Sequence, residues 1–571
     1  MFTVTSPLGP TARAEALHRL ATEELDVLVV GAGVTGSGCA LDAVTRGLTV
    51  GLVDARDFAA GTSSRSTKLF HGGLRYLEQL NFALVFEALK ERSLALNKLC
   101  PHLAKPVPFI FPLQRKGIDR AYAGLGIGVY DVMGAGRGVP HHLRHLGRKK
   151  TFEAFPSAKR EALTGSILFY EGQVDDARHT MMIGRTAAHY GASTAMSTRV
   201  VGFIREADRI AGVRARDLES GQEFEIRAKQ VINAAGVWSD QLQQMIGGRG
   251  QFQVRASKGV HLVLPRNRIN ASTGLITRTE KSLLFIVPWG SHWIIGTTDT
   301  EWDLDLAHPA ASQADIDYLL EHANALLADP LTRDDVVGVY AGLRPLLVGE
   351  SDSTSKLSRE HAVASPVRGL VTIAGGKYTT YRIMAKDAVD MAVHGMERQG
   401  VPPSCTEDVL LLGAEGYQAL WNSRQQLVEQ TGLRMVHVEH LLNRYGSLLP
   451  ELLELMEREP ALARPLTSAP EYLCVEAVYA ASHEGALHLD DILARRTRIS
   501  IETWDRGVSA AAEVADLVAP VLGWTPADIE REVLHYRARV VAERESQHQP
   551  DDLSADAARL GAPDVRVGGN Q

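Results

Sequence analysis

The stretch DVLVVGAGVTGSG, residues 26–38, decides the fold class of this chain. It begins with an apolar run rich in β-branched residues, which predicts a buried strand. Gly31, Gly33 and Gly36 follow at the spacing G-x-G-x-x-G. In this motif the first glycine permits a tight turn, the second lets the backbone approach a pyrophosphate, and the third lets helix and strand pack closely. The helix that follows presents its N-terminus, which attracts phosphate groups.

The residues after this turn complete a strand–helix–strand unit. SGCALDAVTRG, residues 37–47, predicts a helix that ends at a glycine, and LTVGLVD, residues 48–54, predicts a second strand that ends on Asp54. An acid at about this distance accepts a hydrogen bond from a ribose hydroxyl. We therefore predict a dinucleotide-binding site, and the alternative is a glycine-rich α/β turn that binds nothing. The turn alone does not distinguish FAD from NAD.

Two later segments favour FAD. KQVINAAGVWSD, residues 229–240, and LVTIAGGKYTTYRIMAKDAVDMA, residues 370–392, each predict a strand that runs into small residues and then a helix. The small residues at the strand ends are Ala235, Gly236, Gly375 and Gly376. Open α/β sheets bind ligands at such strand ends. A flavin fold needs these late segments, because its chain leaves for a substrate domain and then returns to the nucleotide.

Composition and charge limit the classes of protein to which this chain can belong. The 571 residues are 45% hydrophobic and 23% charged with a net charge of −7, so the chain has no nucleic-acid-binding footprint. The length predicts roughly three or four domains. The four cysteines lie far apart without a CxxC, which indicates neither a zinc site nor a disulfide framework and fits a reducing cytosol. No apolar segment predicts a signal peptide or a membrane-spanning helix.

A series of motifs occurs in order between about residues 25 and 390. They are VVGAGVTGSG, SSRSTKLFHGGLRYLE, VDDAR, GVHLVLP, PWGSHWIIGTTD, AGLRPLL and GGKYTTYR. Together they resemble the FAD-dependent glycerol-3-phosphate dehydrogenases of the respiratory, aerobic type. Further along, EVLHYRARVV and DDILARRTRIS resemble the helical cap of that family. The resemblance implies an α/β fold in which an FAD-binding Rossmann-like domain, of the glutathione-reductase and amino-acid-oxidase type, is interleaved with an antiparallel-sheet substrate domain and followed by a C-terminal helical domain.

The predicted segments alternate between these domains. An N-terminal extension covers residues 1–24. The FAD-binding domain takes residues 25–105, 165–256 and 356–395, and the substrate domain takes residues 106–164, with a membrane-facing basic insert, and 257–355. The C-terminal helical domain covers residues 396–545. Residues 546–571 are polar and contain glycine and proline, so we predict a disordered tail.

The stretch SSRSTKLFHGGLRYLEQ, residues 63–79, combines short hydroxyl donors, cations and a glycine pair. Glycine loses much backbone entropy on ordering, so the pair indicates that a ligand comes close to the backbone. The resemblance implies that this ligand is the isoalloxazine ring of FAD. Besides the glycines and Asp54, the residues expected at the cofactor are Ser63, Ser64, Lys68, Gly72, Gly73 and Thr379. For the serines, the alternative is an exposed polar loop.

Two local predictions concern helices. From Leu74 the pattern is helical, and the face expected in the core carries Phe82, Val85, Phe86 and Leu89. Asp175 and Asp176 look like a catalytic pair of carboxylates, but we expect one of them to cap the helix that follows.

Oxidation of an alcohol to a ketone needs a hydride acceptor and a base for the hydroxyl proton. FAD supplies the acceptor, and the base is either His71 or His261. A phosphorylated substrate also needs cations, since the guanidinium fork matches phosphate oxygens. The substrate residues implied by the resemblance are Arg75, Tyr76, Arg344, Lys377 and Thr298, and Arg344 and Lys377 also belong to its catalytic set. Thr297, Thr298 and Asp299 either touch the substrate or orient their neighbours.

Residues 101–150 hold nine Lys or Arg against two Asp or Glu, within an acidic chain. Apolar runs and aromatic residues alternate with these cations, which suits contact with an anionic lipid surface. The tightest cationic group is Arg115, Lys116 and Arg120, with Phe109, Ile110, Phe111 and Tyr122 as apolar wedges. The alternative is a solvated basic face that packs on the substrate domain.

From the resemblance we predict an enzyme that oxidises sn-glycerol 3-phosphate to dihydroxyacetone phosphate and passes the electrons through FAD to a membrane quinone. We expect it in the cytoplasm, as a peripheral protein on the inner face of the cell membrane. The alternatives are a glycerol-3-phosphate oxidase that uses O₂ and a non-catalytic nucleotide sensor. The sequence leaves open whether FAD is covalently bound and whether the chain forms a homodimer.

Overall fold

The computed structural model describes residues 6–72, 82–113, 144–247, 252–280, 282–348, 361–396, 398–562 and 564–566. The strands are β1 (Leu25–Val30), β2 (Val50–Val53), β3 (Leu69–Phe70), β4 (Ala104–Leu113), β5 (Arg144–Gly147), β6 (Gly165–Val174), β7 (Ser193–Ala195), β8 (Thr198–Glu206), β9 (Arg209–Asp217), β10 (Glu223–Asn233), β11 (Val254–Pro265), β12 (Gly274–Arg278), β13 (Leu283–Trp289), β14 (His292–Gly296), β15 (Thr300–Trp302), β16 (Gly338–Leu347), β17 (His361–Val367), β18 (Leu370–Gly375), β19 (Pro465–Leu466) and β20 (Ala469–Leu473). The α-helices are α1 (Pro10–Thr22), α2 (Val34–Thr45), α3 (Phe82–Leu94), α4 (Arg148–Ala154), α5 (Asp176–His189), α6 (Ser239–Gln244), α7 (Gln313–Asn324), α8 (Tyr381–His394), α9 (Tyr417–Asn422), α10 (Arg424–Thr431), α11 (Met435–Tyr445), α12 (Leu449–Arg458), α13 (Cys474–Ser482), α14 (Ile499–Glu502), α15 (Val508–Leu522), α16 (Pro526–Ser546) and α17 (Asp552–Arg559). Within these ranges, no helix has the length and apolar character needed to cross a bilayer.

The first sheet has the strand order β17-β18-β10-β1-β2-β7, in which all neighbours except β17 and β18 run parallel. Strands β8 and β9 extend it as an antiparallel pair on β10. The carboxyl ends of parallel strands meet at one edge, so Gly31, Asp54 and Ala235 are brought together there. Helices α2 and α8 pack closely, since a Cβ on Gly38 would lie 3.1 Å from the Cβ of Ala385. The predicted Rossmann-like fold is confirmed.

The second sheet has the order β15-β11-β14-β13-β12-β4-β6-β3, with β16 paired to β11 and β5 to β6. Its neighbours are antiparallel except β12 and β4. The strands come from two stretches of chain, β3 to β6 and β11 to β16, which lie on either side of the second segment of the first sheet. This is the interleaving that the resemblance implies. Helix α7 covers the sheet, and its Leu319 shares an apolar core with Trp293 of β14.

The C-terminal region is mostly helical, from α9 to α17, and it docks on the loop after β2. Arg495 and Arg496, in a π-helical turn, both bind the carboxylate of Asp57. The Nε of Arg495 donates to Oδ2 at 2.7 Å, and Arg496 reaches both oxygens at 2.7 Å. All three side chains are buried. These cations, in the stretch DDILARRTRIS, therefore serve the docking of one region on another.

The C-terminal tail differs from its prediction. Helix α17 lies inside residues 546–571, for which the sequence predicted disorder. Asp552 of this helix accepts a hydrogen bond from the fully buried Lys258 of β11, and Ala555 is fully buried. The prediction failed because it used composition alone, and composition does not reveal contacts such as the Lys258–Asp552 ion pair and the burial of Ala555, which attach this helix to the rest of the protein.

Two predictions about apolar residues, the core face of α3 and the membrane wedges, have mixed outcomes. On α3, Val85 and Leu89 are buried as predicted, whereas Phe82 and Phe86 are 46% and 48% exposed because the buried face is narrower than the predicted one. Phe109 and Ile110 are fully buried, because β4 is an internal strand between β6 and β12, so they do not act as membrane wedges. Phe111 is half-buried. The residues Arg115, Lys116, Arg120 and Tyr122 lie outside the described ranges.

We expect Asp57→Ala to lower the free energy of unfolding by about 3–5 kcal/mol, because two buried guanidiniums would lose their shared carboxylate. Thermal unfolding of the flavin-loaded protein measures the effect. Glu454→Ala is the control, since Glu454 pairs with Arg458 on the exposed face of α12 and its loss should cost little. Equal destabilisation by the two substitutions would contradict the docking role of Asp57.

Candidate active site

The turn after β1 accepts only glycine at two of its positions. Gly31 has φ of +106°, and a Cβ on Gly36 would lie 1.8 Å from the carbonyl oxygen of Gly31. At the start of α2, the backbone N–H of Val34 donates to the hydroxyl of Ser63 at 2.9 Å. A Cβ on Gly33 would meet the same hydroxyl at 3.2 Å. The first turn of the helix and the segment after β2 are therefore in direct contact.

Asp54 lies beside this turn at the end of β2. Its Oδ2 accepts from the N–H of Ala32 and its Oδ1 from the N–H of Arg56, both at 2.8 Å. Burial raises the pKa of Asp54, although these two hydrogen bonds oppose the rise. The carboxylate is thus held at the edge of the sheet where the predicted ribose hydroxyl would donate to it.

The other strand ends are also free of bulky side chains. Gly236 has φ of +59° and open space where a Cβ would stand. Gly375 and Gly376 have φ of +78° and +80°, and a Cβ on Gly376 would lie 2.4 Å from the Sδ of Met384. With the glycine turn and Asp54, these residues fit FAD: a close backbone approach for the phosphates and an acid for the ribose.

The segment from Ser63 to Lys68 is held by one carboxylate. The amide and the hydroxyl of Ser66 donate to Oδ2 of Asp176 at 2.8 and 2.7 Å, and the Nζ of Lys68 donates to Oδ1 at 2.7 Å. Lys68 is fully buried, and burial together with the charge of Arg498 lowers its pKa against the opposing effect of Asp176. The ammonium expected at the cofactor is thus part of an internal ion pair. Ser63 and Ser64 are buried too, which argues against the exposed-loop alternative.

The Asp175–Asp176 pair has two different roles. Asp175 caps α5 as predicted, accepting from the N–H of Arg178 at 3.2 Å. Arg498 of the C-terminal region binds both carboxylates, with Nη2 2.6 Å from Asp175 and 2.5 Å from Asp176. Burial alone would raise the pKa of Asp175, but the guanidiniums of Arg498 and Arg444 hold it well below its usual range. Sequence reasoning named Asp176 but missed its pairing with Arg498, because the only signals were an acidic pair and a distant arginine-rich stretch.

The register of β11 and β16 places the predicted base and the predicted cation on one face of the second sheet. The opposed pairs are Ser257 with Arg344, Gly259 with Gly342 and His261 with Tyr340. Residues two and four apart on a strand share a face, so His261 and Arg344 lie on the same face, and their Cα atoms are about 13 Å apart along the strands. The segment after β2 crosses this face, since a Cβ on Gly342 would lie 2.7 Å from the Cβ of Arg65.

His261 is buried and electrically neutral. Its Nε2 lies 2.9 Å from the hydroxyl of Thr67, and its ring stacks on Tyr340 with centroids 4.8 Å apart and 9° between the planes. Its Nδ1 has no hydrogen-bond partner among the described residues. Burial, reinforced by the charges of Arg344 and Lys68, holds the pKa of His261 well below its usual range. A neutral imidazole with an uncommitted nitrogen can accept a proton.

The guanidinium of Arg344 is held by the three residues that follow β14. Its guanidinium lies over Gly259, where a Cβ would be 2.4 Å from Nη2. Nη2 donates to the hydroxyl of Thr297 at 2.9 Å and to the carbonyl of Thr298 at 3.1 Å, and Nη1 lies 3.6 Å from Asp299. The Thr298 hydroxyl accepts from the N–H of Val260 at 3.0 Å. These contacts favour the orienting role for Thr297, Thr298 and Asp299.

Of the remaining predicted residues, His71 and Thr379 are joined by hydrogen bonds near the end of β18. The hydroxyl of Thr379 accepts from the N–H of His71 at 3.2 Å and lies 3.3 Å from its carbonyl, which ties the two segments together. Lys377 is buried, and His71 is half-buried. Gly72, next to His71, is buried as well. Gly73, Arg75 and Tyr76 lie outside the described residues.

Comparison with known families agrees with this architecture. The family model described as FAD dependent oxidoreductase matches residues 26–382. A second model, the C-terminal domain of alpha-glycerophosphate oxidase, matches residues 404–529.

Individual relatives match over nearly the whole chain. Glycerol-3-phosphate dehydrogenase 2 of Mycobacterium tuberculosis (strain ATCC 25618 / H37Rv) is 60% identical, over 98% of this chain and 95% of that protein. The mitochondrial glycerol-3-phosphate dehydrogenase of Homo sapiens is 37% identical, over 90% of this chain and 73% of that protein. The crystal structure of glycerol-3-phosphate dehydrogenase from Bacillus halodurans complexed with FAD superposes with a TM-score of 0.77 at 28% identity, and covers 93% of this chain and 98% of that one.

We expect Gly36→Ala to abolish FAD binding or folding of the first sheet, because the added methyl would overlap the backbone oxygen of Gly31. The flavin absorbance of purified protein, relative to its protein absorbance, measures the loss. Gly147→Ala is the matched control, since a Cβ there would meet nothing within 4 Å. A flavin content equal to wild type in Gly36→Ala would contradict the assignment of this turn.

Proposed function

This chain belongs to the FAD-dependent glycerol-3-phosphate dehydrogenase family, and we propose that it passes the electrons from glycerol 3-phosphate to a quinone in the membrane. The activity of the family is the oxidation of the C2 alcohol, which removes a hydride from carbon and a proton from oxygen. FAD, when bound, supplies the hydride acceptor. The residues of the chain bind the substrate and take the proton.

One observation carries the assignment of the substrate site. A buried, neutral imidazole and a guanidinium braced by two threonines and an aspartate occupy the same face of one sheet, His261 on β11 and Arg344 on β16. We assign the phosphate to Arg344, because a charge-assisted fork matches phosphate oxygens. Lys377, Arg75 and Tyr76 remain proposed substrate residues through their place in the motifs of the family.

We assign the base to His261, with Nε2–H donating to the hydroxyl of Thr67 and Nδ1 accepting the substrate proton. This tautomer uses the hydrogen bond at 2.9 Å and the nitrogen that has no partner in the described part of the chain. The depressed pKa keeps His261 unprotonated, and thus competent as a base, at neutral pH. His71 is the second candidate, and its backbone contacts to Thr379 place it near the end of β18.

The quinone proposal rests on the family and on the basic stretch of residues 101–150. A quinone lies in the bilayer, so its reductase must reach the membrane surface, and cations attract anionic lipid. The arginines of DDILARRTRIS do not offer a second such surface, since Arg495, Arg496 and Arg498 are buried in ion pairs. We propose that Arg115, Lys116 and Arg120 contribute to a peripheral attachment on the cytoplasmic face.

We expect glycerol 3-phosphate to bleach the flavin absorbance of the purified protein under anaerobic conditions. A soluble quinone analogue should then restore the flavin absorbance much faster than air-saturated buffer does. Stopped-flow absorbance measures both half-reactions on the same sample.

The outcomes separate the alternatives. No bleaching would contradict dehydrogenase activity and favour the nucleotide sensor. Faster reoxidation by O₂ than by quinone, with stoichiometric peroxide, would favour the oxidase. Bleaching followed by rapid reoxidation with quinone supports the proposed acceptor.

We expect His261→Asn to slow anaerobic flavin reduction by roughly 10²-fold or more, because the base for the hydroxyl proton would be lost. The apparent affinity for glycerol 3-phosphate should change little. His292→Asn is the matched control, since His292 lies in the same sheet on β14 and contacts Ser291. A large loss of rate in His71→Asn, with a normal rate in His261→Asn, would transfer the role of base to His71.

A further inference from the structure

The base proposed for this chain has an aromatic neighbour where histidine bases commonly have an acidic one. Tyr340 lies opposite His261 in the register of β11 and β16, and the two rings stack with centroids 4.8 Å apart and 9° between their planes. A carboxylate beside a histidine base stabilises its protonated ring. In the described part of the chain no carboxylate contacts the imidazole of His261, since its Nε2 contacts the hydroxyl of Thr67 and its Nδ1 has no partner.

The two stacked rings are held by the strands on either side of β11. On β14, Gly296 lies opposite His261, and a Cβ there would be 2.2 Å from the Cδ2 of the imidazole, so the ring occupies space that a side chain would need. On β16, the hydroxyl of Tyr340 donates to the carbonyl of Ser66 at 3.0 Å, which restrains the phenol ring. The stacked geometry is therefore built into the sheet and into the segment that crosses it.

Proton transfer changes the charge of the imidazole. When the O–H bond of the substrate breaks, its electron pair stays with the oxygen, and the proton forms a bond to Nδ1 of His261 and makes the ring an imidazolium. The surroundings oppose this charge, because burial and the cations of Arg344 and Lys68 hold the pKa of His261 well below its usual range. The low pKa keeps the base unprotonated before the reaction, but it also makes the proton transfer less favourable.

The phenol ring of Tyr340 can offset part of this cost. The face of an aromatic ring carries partial negative charge and attracts a cation that lies within about 6 Å of the ring centroid. The imidazole of His261 lies within that range, at 4.8 Å. A neutral imidazole gains little from the charge of the ring face, whereas an imidazolium gains a favourable electrostatic contact. Tyr340 therefore favours the state that the reaction produces over the resting state, which is the condition for an interaction to accelerate a step.

We propose that Tyr340 is a positioning residue for the reaction, and that its aromatic face stabilises the imidazolium formed at His261. This role, which depends on the assignment of His261 as the base, belongs to a residue outside the motif AGLRPLL, residues 341–347. The neighbouring cations have other partners: Asp176 pairs with Lys68 at 2.7 Å, and the substrate phosphate is assigned to Arg344. Tyr340 thus acts on the one positive charge that the reaction itself creates.

Replacement of Tyr340 by phenylalanine, and by phenylalanines that carry one, two or three fluorine atoms on the ring, tests this role in the FAD-loaded full-length protein. Fluorine withdraws negative charge from the ring face and changes the shape of the ring little. We expect the rate of anaerobic flavin reduction at saturating glycerol 3-phosphate to fall stepwise with the number of fluorine atoms, by roughly three- to thirtyfold between Tyr340→Phe and the trifluorinated variant. The dissociation constant of glycerol 3-phosphate and the temperature of unfolding should stay the same across the series.

Two controls separate this effect from packing. In a His261→Asn background the same series should show no dependence on fluorine, because asparagine does not acquire the charge. Tyr318 of α7 is the matched position, since its ring lies 4.1 Å from that of His322 outside the candidate active site, and the series there should leave the rate unchanged.

A rate that does not depend on the number of fluorine atoms at position 340 would overturn the proposed role of Tyr340. A dependence that persists in the His261→Asn background, or that also occurs at position 318, would overturn it as well. A normal rate of flavin reduction in His261→Asn alone would instead overturn the assignment of the base, on which this role depends, so the two failures are distinguishable.

Discussion

The arrangement of the domains depends on one fully buried carboxylate, that of Asp176. It accepts hydrogen bonds from Ser66 and Lys68 of the segment after β2 and from Arg498 of the C-terminal region. A carboxylate in the interior is costly unless its oxygens are fully bonded to donors. Removing or shifting one charged partner would weaken the compensation of this buried charge, so the carboxylate favours the observed arrangement of the three segments.

The position of the residues around His261 in the candidate active site depends on this carboxylate. Thr67 lies between the two residues that Asp176 holds, and its hydroxyl contacts the imidazole of His261. Tyr340, which stacks on that imidazole, donates to the carbonyl of Ser66 at 3.0 Å. The proposed base belongs to the second sheet, yet its surroundings are set by a segment that the first sheet and the C-terminal region hold. Two interleaved domains can form one site because the same short segment contacts both.

The sequence predicted the structure correctly where the interacting residues are close together in the chain. The glycine turn, the strand ending on Asp54 and the cap at Asp175 each follow from residues that are close in the chain and have one physical solution. The sequence did not predict ion pairs between residues that are distant in the chain. Lys68 and Asp176 are 108 residues apart, and Asp176 and Arg498 are 322 residues apart. Charge pairing has no period that a pattern can detect. For the same reason Phe109 looked available to a membrane, although β6 and β12 cover the strand that carries it.

Charge in a sequence does not show where charge is available to a ligand. The cation-rich stretch DDILARRTRIS has the composition of a lipid-binding surface, yet Arg495, Arg496 and Arg498 are each buried against carboxylates. Lys68 lies three positions after Arg65, yet its ammonium is neutralised by Asp176, whereas Arg65 forms no ion pair with a carboxylate within the described ranges. The two cations differ because the fold places a carboxylate beside Lys68 and none within ion-pair distance of Arg65 in the described ranges. Whether a cation is available to bind an anion therefore depends on whether the fold places a carboxylate beside it, and the sequence alone does not show this.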